Sequence, residues 1–170
     1  MDTSTTKRAA LLILDLSSLD SYTDLNGPSA GEELSFVLLD AMLEHAGPVF
    51  LTDQEWEGAG RVSRPRRALE EGLKARPDIV RVHFDEASQD WEEGMQGIGG
   101  LLRDQRVDRV VLGGLWATLN GSSGGVNEAM RLLELQGFAC RIDFSLCGLE
   151  EEETERASRF PDHSSPPGGA

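Results

Sequence analysis

Two aspartates each follow a short apolar run: Asp15 after AALLIL at 9–14 and Asp53 after VFLT at 49–52. Continuous apolarity over so few residues marks a strand buried on both faces. Both carboxylates therefore stand at strand ends, where neighbouring acids can shift each other's titration and serve as acid or base. Asp15 is the candidate catalytic carboxylate and Asp53 is expected to bind ligand, and the plainer reading, that Asp simply begins a loop, weighs more for Asp53 than for Asp15. His83, near the end of the run IVRVHF at 79–84, is a candidate base, although a strand histidine is more often structural. The most unusual stretch is GGLWATLNGSSGGV, from Gly113 to Val126. A glycine-rich segment between strand and helix leaves N–H groups near Ser123, Gly124 and Gly125 to hold an anion or oxyanion. Within it Trp116 offers an apolar wall and Asn120 an orienting amide. Ser122 and Ser123 stand where a nucleophile at a helix N-terminus would, with Asp15 or His83 as base. The competing readings are a connector whose serine caps the next helix, and a Trp that packs down on the core.

Neither GxGxxG nor GxxxxGK[ST] occurs, so no nucleotide signature is present. Cys140 lies within a predicted strand on a buried face and Cys147 at its end, so neither is expected to be a nucleophile. There is no CxxC pair and no zinc spacing, and His45, His83 and His163 are scattered. No metal and no cofactor are expected, and the thiols read as reduced in a cytoplasm.

The elements that must position these groups alternate. Strands are predicted over 9–14, 49–52, 79–84, 109–112 and 138–144. Helices are predicted over 29–46, 66–76, 88–106 and 126–136, the first opened by a Ser29–Glu32 capping box. A last helix is expected over 150–159. Residues 17–28, 55–65 and 115–125 read as loops. The alternation predicts a three-layer α/β/α fold, a single domain over 1–160 with a mainly parallel, doubly wound sheet of about five strands. A Ser/Pro/Gly tail over 161–170 is expected to be disordered. In such a sheet the ligand crevice opens beyond the carboxyl ends of the strands at the switch point. Here that lies between Asp15 and the segment 115–125.

The chain has 170 residues and a net charge of −14. An acidic surface disfavours nucleic acid, whose phosphates need clustered Lys and Arg, and disfavours anionic membranes. No apolar run approaches the roughly 20 residues of a membrane span. The expected partner is a small molecule, with a homo-oligomer left open.

The ordered set of motifs resembles the isochorismatase-like cysteine hydrolases, a superfamily that includes nicotinamidases. Ala10–Asp15 is similar to the family's first strand and its catalytic Asp, with Ser17 where a Gln is usual. Thr52-Asp53 through Trp56 is similar to the nicotinamidase segment after strand two, with Glu57 in place of a metal-binding His. VDRVVLGG at 107–114 matches strand four, and Ser145–Gly148 the segment after strand five. The resemblance places the family's nucleophilic Cys at Gly125, before Val126, or near Asn120, and its Lys near Arg81 or His83. Of the Asp–Lys–Cys set only Asp15 is present, and no sixth strand is evident. The resemblance thus implies a divergent member without the thiol, binding a small amide- or acid-like molecule or a protein partner. The alternatives are an active hydrolase, acting through Ser122 or Ser123 with Asp15 or His83, and an anion- or nucleotide-binding scaffold.

Overall fold

A computed structural model describes residues 8–54, 62–84, 91–119 and 124–150. Five strands form one parallel sheet in the order β3-β2-β1-β4-β5: β1 Ala9–Leu14, β2 Val49–Gln54, β3 Val80–Phe84, β4 Arg109–Ala117 and β5 Ala139–Leu149. The chain steps from β1 outward to β2 and β3, then returns to pair β4 with the other side of β1. That reversal is the switch point, and it puts helices on both faces.

Alternation along β1 divides the core. Ala10, Leu12 and Leu14 face α4 (Trp91–Asp104) and α5 (Gly125–Leu135), packing with Met95, Ile98, Val126 and Ala129. Leu11 and Ile13 face α1 (Leu19–Asn26), α2 (Pro28–Glu44) and α3 (Arg64–Leu73), packing with Leu19, Leu38 and Leu69. Leu12, Ile13 and Leu14 are fully buried, as a central strand covered on both sides requires.

The elements differ from expectation in four places. Residues 17–28 are not a loop: a short 3₁₀ turn at Leu16–Ser18 and α1 occupy them. Leu16 and Leu19 seal that segment against the sheet, with both side chains buried. The Ser29–Glu32 box does not cap α2, which begins at Pro28 after Gly27, because Pro suits the first helical position. β4 runs on through Ala117, so Leu115 and Trp116 are strand residues. β5 likewise continues to Leu149, taking in Ser145–Gly148. Gly113 and Gly114 make these extensions feasible. A Cβ on Gly113 would lie 2.7 Å from the Leu146 Cβ, and one on Gly114, at φ 109°, would run into the Leu14 backbone. The pairing of β4 with β5 shifts register at this point.

β3 is an edge strand, as its alternation predicted. The expected helix at 150–159 and the tail at 161–170 lie outside the described residues. Among the described residues no helix is long and apolar enough to cross a membrane.

Candidate functional site

Asp15 terminates the central strand in the left-handed region, φ 55° and ψ 61°, a conformation that Asp tolerates better than most residues. Its N–H donates to Thr52 Oγ1 at 2.9 Å. Its carboxylate accepts from the Ser17 hydroxyl at 2.8 Å and the Ser18 hydroxyl at 2.5 Å. The side chain is thus fixed by its own turn and tied to β2. A carboxylate offers about four lone-pair directions, so acceptor capacity is left for a further donor.

Asp53 is almost fully buried at the end of β2. Its Oδ1 accepts from the Ser17 N–H at 3.1 Å, and its Oδ2 lies 3.8 Å from Arg66 Nη2. Burial pushes its carboxyl above the ordinary range, although Arg66 and the Ser17 hydrogen bonds oppose the rise. Arg66 is held by Asp20, whose Oδ2 accepts from Nη1 at 2.8 Å. Asp20 Oδ1 accepts from the Ser63 N–H at 2.8 Å. Burial would raise the Asp20 carboxyl, but hydrogen bonds from Ser63 and Arg66 outweigh it and hold the group below its ordinary value. With a guanidinium facing Asp53, these residues do not fit a metal ion. Among the described residues no group of three His, Cys, Asp or Glu side chains is arranged to hold one. Glu57 lies outside the described residues.

The other sequence candidates separate. His83 is exposed on β3, in register with Asp53. β2 lies between β3 and β1, so His83 is two strand spacings from Asp15's strand, roughly 9–10 Å. Arg81, nearer the middle of β3, is engaged by Glu70 of α3 at 2.6 Å. Trp116 is not a loop residue. It packs from β4 against Tyr22 of α1, with ring centroids 5.6 Å apart and planes at 50°, and against the second core. The Leu115–Trp116 peptide is cis. Asn120, Ser122 and Ser123 lie outside the described residues.

β1 and β4 pair through Leu14 and Gly114, so Asp15 emerges beside the strand segment on which α5 begins. Gly124, at φ 103°, precedes α5, and a Cβ there would lie 2.9 Å from the Trp116 carbonyl oxygen. Gly125 is the first residue of α5, and among the described residues a Cβ there would meet nothing nearer than Trp91 at 3.6 Å. Asn127, which the sequence reading overlooked, clamps this junction. Its Oδ1 accepts from the Thr118 N–H at 2.9 Å, and its Nδ2 donates to the Thr118 carbonyl at 3.1 Å. A buried Asn in a first helical turn after a glycine-rich loop was the available signal. Ser18, Asp20 and Arg66 were also missed, because the segment that carries Ser18 and Asp20 reads as loop.

Both cysteines sit on β5. Cys147 is buried and its thiol donates to the Asp143 carbonyl at 3.3 Å. Cys140 is only half-buried rather than fully enclosed. Burial, with Glu134 beside Cys140 and Asp143 beside Cys147, pushes both thiols up to about 12.

No protein-family model matches the sequence, and no curated protein matches it. Solved structures do. The nicotinamidase SaPncA from Staphylococcus aureus superposes with a TM-score of 0.58 at 15% identity, over 92% of this chain and 96% of its own. The MAR1 ribonuclease from Caenorhabditis elegans gives 0.49 at 17% identity, over 91% of this chain and 71% of its own. The near-complete overlap with the nicotinamidase shows that this chain, with its single five-stranded, all-parallel sheet, shares that protein's α/β fold.

Proposed function

We propose that this chain binds a small polar molecule bearing an amide or a carboxylic acid, between Asp15 and the start of α5, without covalent catalysis. One observation carries the reading. Of the two positions where the family resemblance puts the nucleophile, Asn120 lies outside the described residues, and Gly125 opens α5 with room, among the described residues, for a side chain it does not have. Neither thiol substitutes for it. Cys140 and Cys147 are on β5 and are held protonated at neutral pH, and a protonated thiol is not a nucleophile.

The chemistry that remains is recognition. Asp15, steadied by two serine hydroxyls, accepts a ligand N–H. The first N–H groups of α5 have no partner within the helix and donate to a ligand carbonyl or carboxylate. An acceptor opposite donors is complementary to an amide. Similarity to a nicotinamidase makes nicotinamide and the corresponding acid the first probes.

The test is amide NMR of the ligand-free protein titrated with nicotinamide, alongside an ammonia-release assay and intact-mass measurement after treatment with a serine-directed acyl probe. Shifts at Asp15, Gly124 and Gly125, with no ammonia and no adduct, support binding without hydrolysis. An adduct on Ser122 or Ser123 would establish the hydrolase instead. Shifts confined to another face would refute the site. Asp15→Asn is the matching variant, since Asn tolerates the left-handed backbone while losing the charge.

A further inference from the structure

We infer that Asp53 is a positioning residue for Asp15, acting through Ser17, and is not itself a ligand contact. This rests on the reading of Asp15 as the ligand's acceptor, and it departs from the sequence expectation that Asp53 binds ligand directly. The geometry is a short relay across the sheet's carboxyl edge. Asp53 Oδ1 takes the Ser17 N–H at 3.1 Å. The Ser17 hydroxyl in turn donates to Asp15 Oδ1 at 2.8 Å. Thr52, the residue before Asp53, takes the Asp15 N–H at 2.9 Å. The end of β2 therefore grips the Asp15 turn at two backbone N–H groups. Asp53 is only 7% exposed, and Arg66 stands over its second oxygen, so little of its carboxylate is left for a ligand.

An ionised acceptor makes a stronger bond to an N–H than a neutral one. Asp53 holds Ser17 most firmly when charged, and its protonation slackens the turn. The charged and titratable groups around it are Asp15 of the preceding turn, Asp20 of α1, Arg66 and Glu70 of α3, and Arg81 and His83 of β3. Burial moves the protonation of Asp53 upward from the ordinary carboxylate value. The slackening thus begins at a higher pH than an exposed aspartate would give.

The experiment has one arm without ligand and one with it. In the ligand-free protein, the Ser17 and Asp15 amide resonances are followed against pH. Both are expected to move together, with a midpoint above the ordinary carboxylate value of 3.8. Asp53→Asn should abolish that shared step, because Asn keeps an acceptor for Ser17 but does not titrate. In Ser17→Ala the residue 17 amide should still report Asp53, while the Asp15 resonance stops following it. In the second arm, nicotinamide affinity of the parent should fall across the same step, and the affinity of Asp53→Asn should not. If Asp15 fails to follow Ser17, or if the step survives in Asp53→Asn, the positioning role is wrong. If the relay titrates as described and nicotinamide does not bind at any pH, the reading of the site as an amide pocket fails while the relay stands.

Discussion

Adjacent glycines at the start of α5 should respond to the same substitution with opposite sign. Gly125 has backbone angles that any residue can adopt, and an added Cβ would lie 3.6 Å and 3.7 Å from Trp91 ring atoms, ordinary van der Waals contact. Gly125→Ala then acts through the unfolded chain, which loses conformational freedom. The expected gain is about 0.4–1 kcal/mol. Gly124 is different. Its φ of 103° and ψ of 144° lie in a region open essentially to glycine alone, at a cost of about 1–3 kcal/mol to other residues. Its Cβ would also press on the Trp116 carbonyl at 2.9 Å, where the neighbour is backbone and cannot swing away. Gly124→Ala should therefore destabilise by about 2 kcal/mol or more. The two melting temperatures should differ by roughly 5–10 °C, since 1 kcal/mol moves a domain of this size by about 2–4 °C. Urea unfolding of both variants beside the parent is the check. A loss of stability in Gly125→Ala comparable to that of Gly124→Ala would refute the argument. It would mean that Gly125, one of the two positions where the family resemblance puts its nucleophile, has no room for any side chain.

Arg76 donates to the carbonyls of Met42 and His45, each at 2.6 Å, and of Gly47 at 2.8 Å, closing the carboxyl end of α2; Arg76→Ala should cost about 2–4 kcal/mol in urea unfolding. Asp20 and Asp53 should give opposite pH signatures when stability is measured from pH 3 to 8. Asp20, held low, contributes stability that is present above 3.8 and lost as pH falls through its folded value; Asp20→Asn should be weaker than the parent at neutral pH, and the gap should close in acid. Asp53, pushed up, contributes stability that is present below 3.8 and lost as pH rises through its folded value; Asp53→Asn should match the parent in acid and exceed it at neutral pH. Iodoacetamide at pH 8 should leave Cys140 and Cys147 unlabelled in the folded protein and label both in urea, and rapid labelling of either in the folded state would contradict thiols pushed up to about 12. Gly125→Cys should fold and add one readily labelled thiol at the positive end of α5.

The sheet was legible because burial on both faces writes itself into sequence as continuous apolarity. AALLIL at 9–14 and VFLT at 49–52 have no other economical use, and their order with the helices between them implies parallel pairing. The strand ends were less legible. β4 and β5 continue past Gly113-Gly114 and Phe144 because glycine there serves close backbone approach and a register shift, and a Gly-Gly pair reads as a break when its neighbours in space are unknown. α1 was hidden for a related reason. LDSYTDLN at 19–26 is polar on most of its surface and buries only Leu19 and Thr23, so its helical form depends on packing against α2, where Thr23 sits on Gly31. The site inherits this difficulty. Asp15 could be placed at the sheet's carboxyl edge because it ends a strand that can be read. Ser18 and Asp20 were missed because they belong to the segment that could not be read, and Arg66 because its partner Asp20 lies there. The contact between Asp53 and Ser17 spans 36 residues of chain, and no local pattern encodes it. What joins them is the parallel pairing of β1 with β2, which brings both strand ends to one edge. Fold-level physics therefore accounts for where the relay lies, while its chemistry follows from two side chains, Ser17 and Asp53. Their substitution should alter the behaviour of Asp15 and leave the sheet intact.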